Sequence, residues 1–381
     1  MKRNVGIYNL HMRAMGGGEK LALVLAEHLS LTNDVSLFCA EPLDKSKLGN
    51  FFGVDLSRIR INPLDNPGPV PKLLGRLRRD STATVSQDHY QQLRKLDLDV
   101  FINNSYGSEL LSPAPHGLFM CMFPHSTTQP KRAVIDSYST VVAISQYSAE
   151  WVRRRWQRDT HVIYPPCDDM GPSTPKEKMI LNVGRFLADS NEDERHHKSQ
   201  GVLLNTFKQM TELHREGWTL HFAGSRGGDT TFADSLVRSA QGFPVFFHFN
   251  SPREELRQLY RKAAIYWHAT GFGFQTDSYP GKQEHFGITT VEAMSAAAVP
   301  VVYASGGQTE IVTNEVDGFC WNDLDQLSAY TQRLANDAEL RRRLGQQAVI
   351  ASRRFSRETF GEAIDRLMLK ILEAPNAQAL A

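Results

Sequence analysis

The sequence predicts an α/β protein built from two doubly wound parallel-sheet domains. Short apolar strands alternate with amphipathic helices along the chain, which is the pattern of parallel sheets. This alternation occurs in two series, and a proline-rich segment at 165–175 separates them. The length of 381 residues is also more than a single hydrophobic core usually serves. We therefore expect two domains of ordinary size.

The composition, with 41% hydrophobic and 22% charged residues, is typical of a soluble globular protein. A net charge of +1 gives no indication of a nucleic-acid partner. The four cysteines are widely scattered and form no C-x-x-C pair, as is typical of reduced thiols in the cytoplasm. The sequence contains neither an apolar run of the roughly 20 residues that span a bilayer nor the apolar region of a signal peptide. We expect a cytoplasmic protein.

The first series begins with a short strand at 5–8, which a loop over 10–18 follows. This loop ends in three glycines, including Gly17 and Gly18, and a helix is predicted from 19 to about 30. Glycines let the backbone approach a ligand closely at a helix start, so the arrangement suits phosphate binding. It matches neither a P-loop nor G-x-G-x-x-G, and taken alone a plain tight turn explains it better.

Further strands of this series are predicted at 35–39, 100–103, 118–122 and 140–144, with a helix at 145–157. Parallel sheets bind ligands beyond the carboxyl ends of their strands. His125 directly follows one of these strands, so we expect its side chain to point into that crevice. The alternative is an ordinary hydrogen-bonded histidine at the surface.

Two basic segments stand out in the first half, which carries a net positive charge. Residues 72–79 mix three leucines with four cations, and Arg153–Arg155 is a run of three arginines. Such segments suit weak contact with an anionic membrane surface. A solvated helix face is at least as good an explanation of the first segment.

Pro165 and Pro166 mark the hinge, because consecutive prolines stiffen the chain. We place the first domain at 1–165, a linker at 166–178 and the second domain at 179–355. Strands of the second domain are predicted at 179–183, 219–223, 244–249, 264–267 and 300–303. Helices are predicted at 252–262, where Ser251 begins a capping box, and over 325–354.

A long amphipathic helix is predicted over 356–373, and a frayed tail over 374–381. Its predicted inward face consists of Phe360, Ile364, Leu367, Met368 and Ile371. We expect this helix to pack back towards the first domain.

The most informative stretch contains two acids, Glu284 and Glu292, eight positions apart. Upstream, an apolar run over 263–268 predicts a buried strand. Downstream, residues from Thr290 to Ala298 are rich in helix formers. Glu284 is thus expected in a loop at the carboxyl end of a strand, and Glu292 in the early part of the following helix.

Phe286, Gly287 and Ile288 fall at the start of this helix, where unpaired N–H groups and the positive end of the dipole attract phosphate. Carboxylates accept hydrogen bonds from sugar hydroxyls instead. The stretch therefore suits a nucleotide sugar, with the diphosphate on the helix start and hydroxyls on Glu284 and Glu292. The alternative is a solvated loop acid and an acid that merely favours the helix N-terminal end.

Two cations, Arg185 and Lys198, flank the junction between the first strand of the second domain and the next helix. Near an anion site they would hold a diphosphate, and each charge-assisted contact is worth about 1.5–3 kcal/mol. Ordinary surface cations are the alternative. We assign no metal site, since the D-x-D at Asp97–Asp99 precedes a strand, where acids commonly mark the strand entrance.

These motifs resemble the donor-site signature of retaining glycosyltransferases of family 4, whose GT-B fold has two Rossmann-like domains facing a cleft. The resemblance covers nearly the whole chain and rests on residues 16–19, His125, 184–185, Lys198, 284–292 and 305–307. Residues 164–168 and 284–288 are most similar to Alg11-type mannosyltransferases, which extend lipid-linked oligosaccharides from GDP-mannose. The chain differs from these in longer segments at 189–197 and 271–283.

The resemblance implies a donor site in the second domain. Glu292 would bind the ribose, Arg185 and Lys198 the diphosphate, and Glu284 hydroxyls of the donor sugar, with residues 286–288 at the phosphates. These cations and the helix start would stabilise the departing diphosphate without a metal. The reaction would retain the anomeric configuration, and no cofactor is implied beyond the nucleotide sugar.

The first domain would contribute His125, which reaches the donor sugar, and Gly17 and Gly18, which close over the phosphates. The implied partners are a nucleotide sugar, a glycan or lipid-linked acceptor and, weakly, an anionic membrane, but no nucleic acid. The implied location is the cytoplasm, either free or peripheral at the inner membrane face. Two alternatives stay open: a nucleotide-sugar epimerase or hydrolase of the same fold, and a non-catalytic sugar-nucleotide-binding module.

Overall fold

The structure is a computed structural model that describes residues 2–10, 12–65, 78–105, 107–126, 129–171, 175–188 and 198–373. It divides into two compact units. The first comprises Met1–Pro166 together with Phe360–Ala381, and the second comprises Cys167–Thr359. Each unit contains a parallel sheet connected by helices.

Within the described residues, the first unit has a seven-stranded parallel sheet in the order β3-β2-β1-β4-β5-β6-β7. Its strands are β1 (Asn4–Tyr8), β2 (Asp34–Cys39), β3 (Arg60–Pro63), β4 (Val100–Asn103), β5 (His116–Cys121), β6 (Thr140–Ala143) and β7 (His161–Val162). Its helices are α1 (Gly17–Leu29), α2 (Lys45–Phe52), α3 (Arg78–Leu93), α4 (Arg132–Asp136) and α5 (Gln146–Trp156), with a 3-10 turn at Met12–Ala14. The strand order reverses between β1 and β4, which is where doubly wound sheets form their ligand crevice.

The second unit has a six-stranded parallel sheet among the described residues, in the order β10-β9-β8-β11-β12-β13. Its strands are β8 (Glu177–Val183), β9 (Thr219–Gly224), β10 (Val245–Phe249), β11 (Ala263–His268), β12 (Val299–Tyr303) and β13 (Phe319–Trp321). Its helices are α6 (Gln200–Gln209), α7 (Thr211–Arg215), α8 (Thr231–Ser239), α9 (Arg253–Lys262), α10 (Ile288–Ser295), α11 (Gln308–Ile311), α12 (Leu324–Asn336) and α13 (Ala338–Ser352), with 3-10 turns at Pro280–Lys282 and Arg353–Phe355. Here the order reverses between β8 and β11.

The central strands of the second unit are buried on both faces, as expected where helices cover a parallel sheet. Every residue of β11 is buried, including Tyr266 and Trp267, neither of which is exposed at all. Leu181 of β8 and Val301 of β12 are equally inaccessible on either side of it. This rigid centre holds the carboxyl ends of β8 and β11 in fixed positions.

The last helix, α14 (Arg357–Glu373), belongs to the first unit from Phe360 onward. Its predicted inward face is confirmed, because all five apolar side chains are buried: Phe360, Ile364, Leu367, Met368 and Ile371. On the same helix, Asp365 Oδ1 lies 2.8 Å from His28 Nε2 of α1. A side chain at Gly361 would collide with the His28 ring, so glycine permits this close approach.

Two local predictions were wrong. Helix α1 begins at Gly17 rather than Glu19, since the Glu19 carboxylate accepts a hydrogen bond from the Gly16 N–H at 2.7 Å and draws the helix start back two residues. The predicted capping box at Ser251 does not form. Pro252 is the residue before α9, and no side chain caps that helix.

The residues that follow the double proline are held within the second unit. The Cys167 N–H donates to the Phe355 carbonyl at 2.9 Å, and the Met170 N–H donates to Ser295 Oγ at 3.0 Å. Strand β8 begins at Glu177, two residues inside the predicted linker. Residues 66–77, 172–174, 189–197 and 374–381 lie outside the described residues, and with them part of the first basic segment, part of the linker, the polar segment before Lys198 and the tail.

Candidate functional site

The two acids lie where the sequence predicted, on either side of a helix start. Glu284 lies in the loop after β11, Gly287 is the residue before α10, and Ile288 is its first residue. Glu292 lies in the second turn of α10. Both acids are 7% exposed. The alternative of a solvated loop acid is therefore wrong.

The loop between β12 and α11 holds this segment in place. The Gly307 N–H donates to the Glu284 carbonyl at 2.7 Å, and a side chain at Gly307 would lie 2.6 Å from Phe286 Cα. Gln308 donates to the Phe286 carbonyl at 3.3 Å and accepts a hydrogen bond from Thr290 Oγ1 at 2.9 Å. The ring of Phe286 is buried, so this residue contributes backbone rather than side chain to the site.

Glu284 joins two basic side chains, Lys198 and His268, in a polar network. Its Oε2 atom is 2.5 Å from Lys198 Nζ and 3.0 Å from His268 Nε2. The side chains of Glu284 and Lys198 are 10% and 16% exposed, so this is a largely buried ion pair. The sequence placed Lys198 and Glu284 on different parts of a donor, whereas the structure joins them to each other.

Glu292 contacts a buried phenol. Tyr260 of α9 donates to Glu292 Oε2 at 3.0 Å, and Tyr260 is inaccessible to solvent. Burial, and then the nearby Glu292 carboxylate, raise the pKa of Tyr260 well above its ordinary value, so the hydroxyl keeps its proton and remains a donor. Tyr260 fixes the orientation of the carboxylate on α10.

Arg185 stands apart from this network. Its side chain is exposed and forms no ion pair or hydrogen bond with any residue that the structure describes. Its carbonyl accepts a hydrogen bond from Gln200 Nε2 of α6 at 3.2 Å.

The neighbouring Gly184 lies directly against the Lys198 side chain. A side chain at position 184 would lie 2.6 Å from Lys198 Cγ. The Lys198 side chain thus runs directly across the Gly184 backbone.

In the first unit, Gly17 and Gly18 form the first turn of α1. The Gly18 carbonyl accepts a hydrogen bond from Asn104 Nδ2 at 2.9 Å, and a side chain at Gly18 would lie 2.8 Å from Met122 Sδ. Asn104 follows β4 and Met122 follows β5. The start of α1 therefore lies at the carboxyl edge of the central strands, as a ligand crevice requires.

His125 is held among aromatic rings at the same edge of the first sheet. It is 6% exposed, and its ring meets Phe123 edge-on with centroids 5.0 Å apart. Tyr147 of α5 stacks on Phe123 at 5.8 Å, and Arg155 donates to the Pro124 carbonyl at 2.6 Å. His125 thus lies in the loop after the carboxyl end of β5, and its role towards a ligand stays a prediction.

Sequence reasoning missed two members of the second-unit site, His268 and Tyr260. His268 is the last residue of β11, so its place at the carboxyl edge of a central strand was the available signal. Tyr260 lies on a helix with no motif of its own. Among the residues described, no group of three or more His, Cys, Asp or Glu could hold a metal. In that same part of the chain, we find no helix that is both long and apolar enough to cross a membrane.

The chain is similar to known proteins in sequence and in fold. The family model "Glycosyl transferases group 1" matches residues 171–349. The UDP and glucose complex of Anabaena Alr3699/HepE superposes with a TM-score of 0.71 at 17% identity, covering 96% of this chain and 99% of that one. Sucrose-phosphate synthase from Thermosynechococcus elongatus superposes with a TM-score of 0.72 at 17% identity, covering 98% and 100%.

The curated relatives are similar over part of the chain. The protein named GDP-Man:Man(3)GlcNAc(2)-PP-Dol alpha-1,2-mannosyltransferase is 24% identical over 250 residues in Dictyostelium discoideum, covering 60% of this chain and 46% of that protein. The human protein of the same name is 26% identical over 248 residues, covering 60% and 48%. The chain thus spans about half the length of the curated relatives that it matches.

The fold and the site together define an α/β protein with the GT-B glycosyltransferase fold, built from two Rossmann-like units. Within it, residues 171–349 match the family model of the glycosyl transferases group 1. The predicted fold class and the predicted family resemblance are both confirmed.

Proposed function

We propose that this protein is a retaining glycosyltransferase that moves a sugar from a nucleotide diphosphate donor to a glycan or lipid-linked saccharide. The observation that carries the proposal is the network at the start of α10, where a buried carboxylate, Glu284, contacts a partly buried ammonium, Lys198. In a nucleotide sugar, the sugar hydroxyls can donate hydrogen bonds to the Glu284 carboxylate, and the phosphate oxygens can accept them from the Lys198 ammonium.

Lys198 can contact Glu284 and a diphosphate at the same time, because an ammonium group has three hydrogen-bond donors. One is directed at Glu284, and the others are available to a diphosphate at the start of α10. There the N–H groups that precede Thr290 have no helical carbonyl to bond and favour an anion, whereas the Thr290 N–H already donates to the Gly287 carbonyl. Negative charge grows on the diphosphate as the sugar leaves, so fixed donors at this point lower the barrier. Glu284 holds the sugar and Glu292 the ribose.

GDP-mannose is the favoured donor. Its support is the name of the curated relatives and the resemblance of residues 164–168 and 284–288 to Alg11-type mannosyltransferases. In this proposal Arg185 joins Lys198 at the diphosphate, although its exposed side chain has to move there from solvent. His125, Gly17 and Gly18 are the ligand-binding residues that the proposal assigns to the first unit. No metal is required.

Thermal-shift measurements with GDP, UDP and ADP, followed by donor turnover assays, test the proposal. We expect GDP to stabilise the protein most. GDP-mannose should release GDP in the presence of a saccharide acceptor, and NMR should show a product with the anomeric configuration of the donor. Release of free mannose under every acceptor would favour a hydrolase, and conversion to another nucleotide sugar would favour an epimerase. Stabilisation by nucleotide without any turnover would favour a binding module.

The Gly184→Ala variant should lower donor turnover about 10-fold or more, because its methyl group displaces Lys198 from Glu284. Gly201→Ala is the matched control. A methyl group there meets nothing closer than 3.9 Å, and alanine favours the helix α6 that contains it. Steady-state kinetics and thermal unfolding of both variants provide the measurement. Equal turnover in the two would contradict the placement of Lys198.

Membrane contact through basic segments stays a proposal. Arg153 and Arg154 both pair with Glu150, at 2.5 and 2.8 Å, which leaves residues 72–79 as the principal candidate. We expect weak sedimentation with anionic vesicles that declines as salt rises. Neutralising Lys72 and Arg76 should abolish it, with uncharged vesicles as the control. If vesicle binding did not depend on salt concentration, or was absent at low salt, electrostatic docking of a lipid-linked acceptor would be excluded.

A further inference from the structure

We propose that His268 is a positioning residue that holds the Glu284 carboxylate in the orientation needed by the donor sugar. This inference rests on the proposed function, because it assigns the sugar to Glu284. His268 Nε2 lies 3.0 Å from Glu284 Oε2, the same oxygen that Lys198 contacts at 2.5 Å. Two donors on different elements, one after β8 and one ending β11, thereby fix a single carboxylate oxygen.

The contact determines where the imidazole proton lies. An ionised carboxylate only accepts hydrogen bonds, so Nε2 must carry a proton to bond to Glu284. Nδ1 is buried and has no hydrogen-bond partner among the residues that the structure describes. A second proton there would have nothing to bond to. The structure therefore assigns to His268 the neutral form with its proton on Nε2.

A purely structural role explains this residue poorly. His268 is 2% exposed in a strand whose other side chains are apolar or aromatic. A buried nitrogen without a partner costs free energy, and an apolar side chain of similar volume would avoid that cost. Histidine suits this position because its Nε2 atom reaches Glu284 from a buried strand. Its short side chain has few rotatable bonds, so little conformational freedom is lost in holding the contact.

The matched pair His268→Gln and His268→Asn tests the proposal. Both variants carry a neutral amide, but only glutamine is long enough to place an N–H where the imidazole has Nε2. We expect the Gln variant to retain kcat within about 3-fold of the wild type. The Asn variant should lose kcat about 10- to 100-fold with donor KM nearly unchanged, because a misplaced carboxylate fails mainly in the transition state. Thermal unfolding should be similar in the two.

A second measurement asks whether His268 acts through Glu284. In a Glu284→Ala background, His268→Asn should change kcat less than about 2-fold, since nothing remains to be positioned. Equal losses in the Gln and Asn variants, or an undiminished effect of Asn in the Glu284→Ala background, would overturn the proposal.

The assigned proton position can be measured without turnover. Long-range ¹H–¹⁵N spectra of histidine-labelled protein should show the His268 resonances, identified by their absence in the His268→Gln variant, as the form protonated on Nε2. Protonation on Nδ1 alone, or on both nitrogens, would overturn the inference. If the protein turns over no nucleotide sugar yet shows this form, the proposed function fails while the contact with Glu284 stands.

Discussion

Replacing Lys198 by methionine should slow sugar transfer by about 100-fold or more. Methionine keeps much of the side-chain length and removes the charge, so the loss reports the ammonium group rather than its packing. Removing one fixed hydrogen-bond donor that faces the negative charge developing in the transition state commonly lowers kcat by about 100- to 1000-fold. The diphosphate is the group that gains charge as the sugar leaves, so the loss should appear in kcat as well as in kcat/KM.

Two comparisons separate this effect from general damage. Lys208→Met is the control, because Lys208 lies on α6 and its ammonium contacts Ser239 and the face of Phe243, away from the acids. Arg185→Ala should also lower transfer by about 100-fold if the guanidinium reaches the diphosphate, and its unfolding temperature should not change, since Arg185 has no side-chain partner to lose among the described residues. The Lys198 variant should unfold at a somewhat lower temperature, because Glu284 loses an ion-pair partner.

The same assays test whether transfer depends on a divalent metal ion. We expect wild-type transfer to continue in EDTA, since Lys198 and the α10 start supply the positive charge. Strict dependence on a divalent cation, or full activity of Lys198→Met, would contradict the proposed leaving-group stabilisation.

The central strands of both sheets were predictable because they bury both faces and therefore appear as apolar runs. Strand β4 has the predicted bounds, and β11 differs by one residue at each end. The edge strands β3, β7 and β13 were missed, and β13 has only three residues, Phe319–Trp321. Arg60–Pro63 and His161–Val162 are short, contain polar residues and are only half-buried or exposed. Their pairing depends on a neighbouring strand, which local patterns do not encode.

In the candidate site, too, local features were predictable from the sequence and contacts between distant residues were not. The positions of Glu284, Gly287 and Glu292 around a helix start followed from local signals. The contact of Glu284 with Lys198 joins residues 86 positions apart and arises only when β8 and β11 lie side by side. The contact with His268 needs the loop after β11 to fold back on the end of that strand. Tyr260 reaches Glu292 because α9 packs near α10, a relation that no spacing in the sequence indicates.

Glu284 and Glu292 should respond differently to the same substitution. Glu284→Gln should mainly lower kcat, by about 10-fold or more, because contacts with the sugar hydroxyls tighten as the sugar acquires oxocarbenium character. Glu292→Gln should mainly raise the donor KM, because the ribose does not change during the reaction. Glutamine keeps the shape and one acceptor oxygen, so the Glu292→Gln variant should still accept the hydrogen bond from Tyr260.

The surroundings of the two acids strengthen this distinction. Glu284 is bound by a cation, so glutamine there also weakens the hold on Lys198 and disturbs the group that stabilises the diphosphate. The Tyr260 hydroxyl, a neutral donor, is the described contact of the Glu292 carboxylate, and an amide oxygen accepts that hydrogen bond nearly as well. Glu339→Gln on the exposed surface of α13 is the control, and isothermal titration with GDP should show weaker binding only for the Glu292 variant. Full turnover in Glu284→Gln, or lost turnover with unchanged nucleotide affinity in Glu292→Gln, would reverse the roles assigned to the two carboxylates.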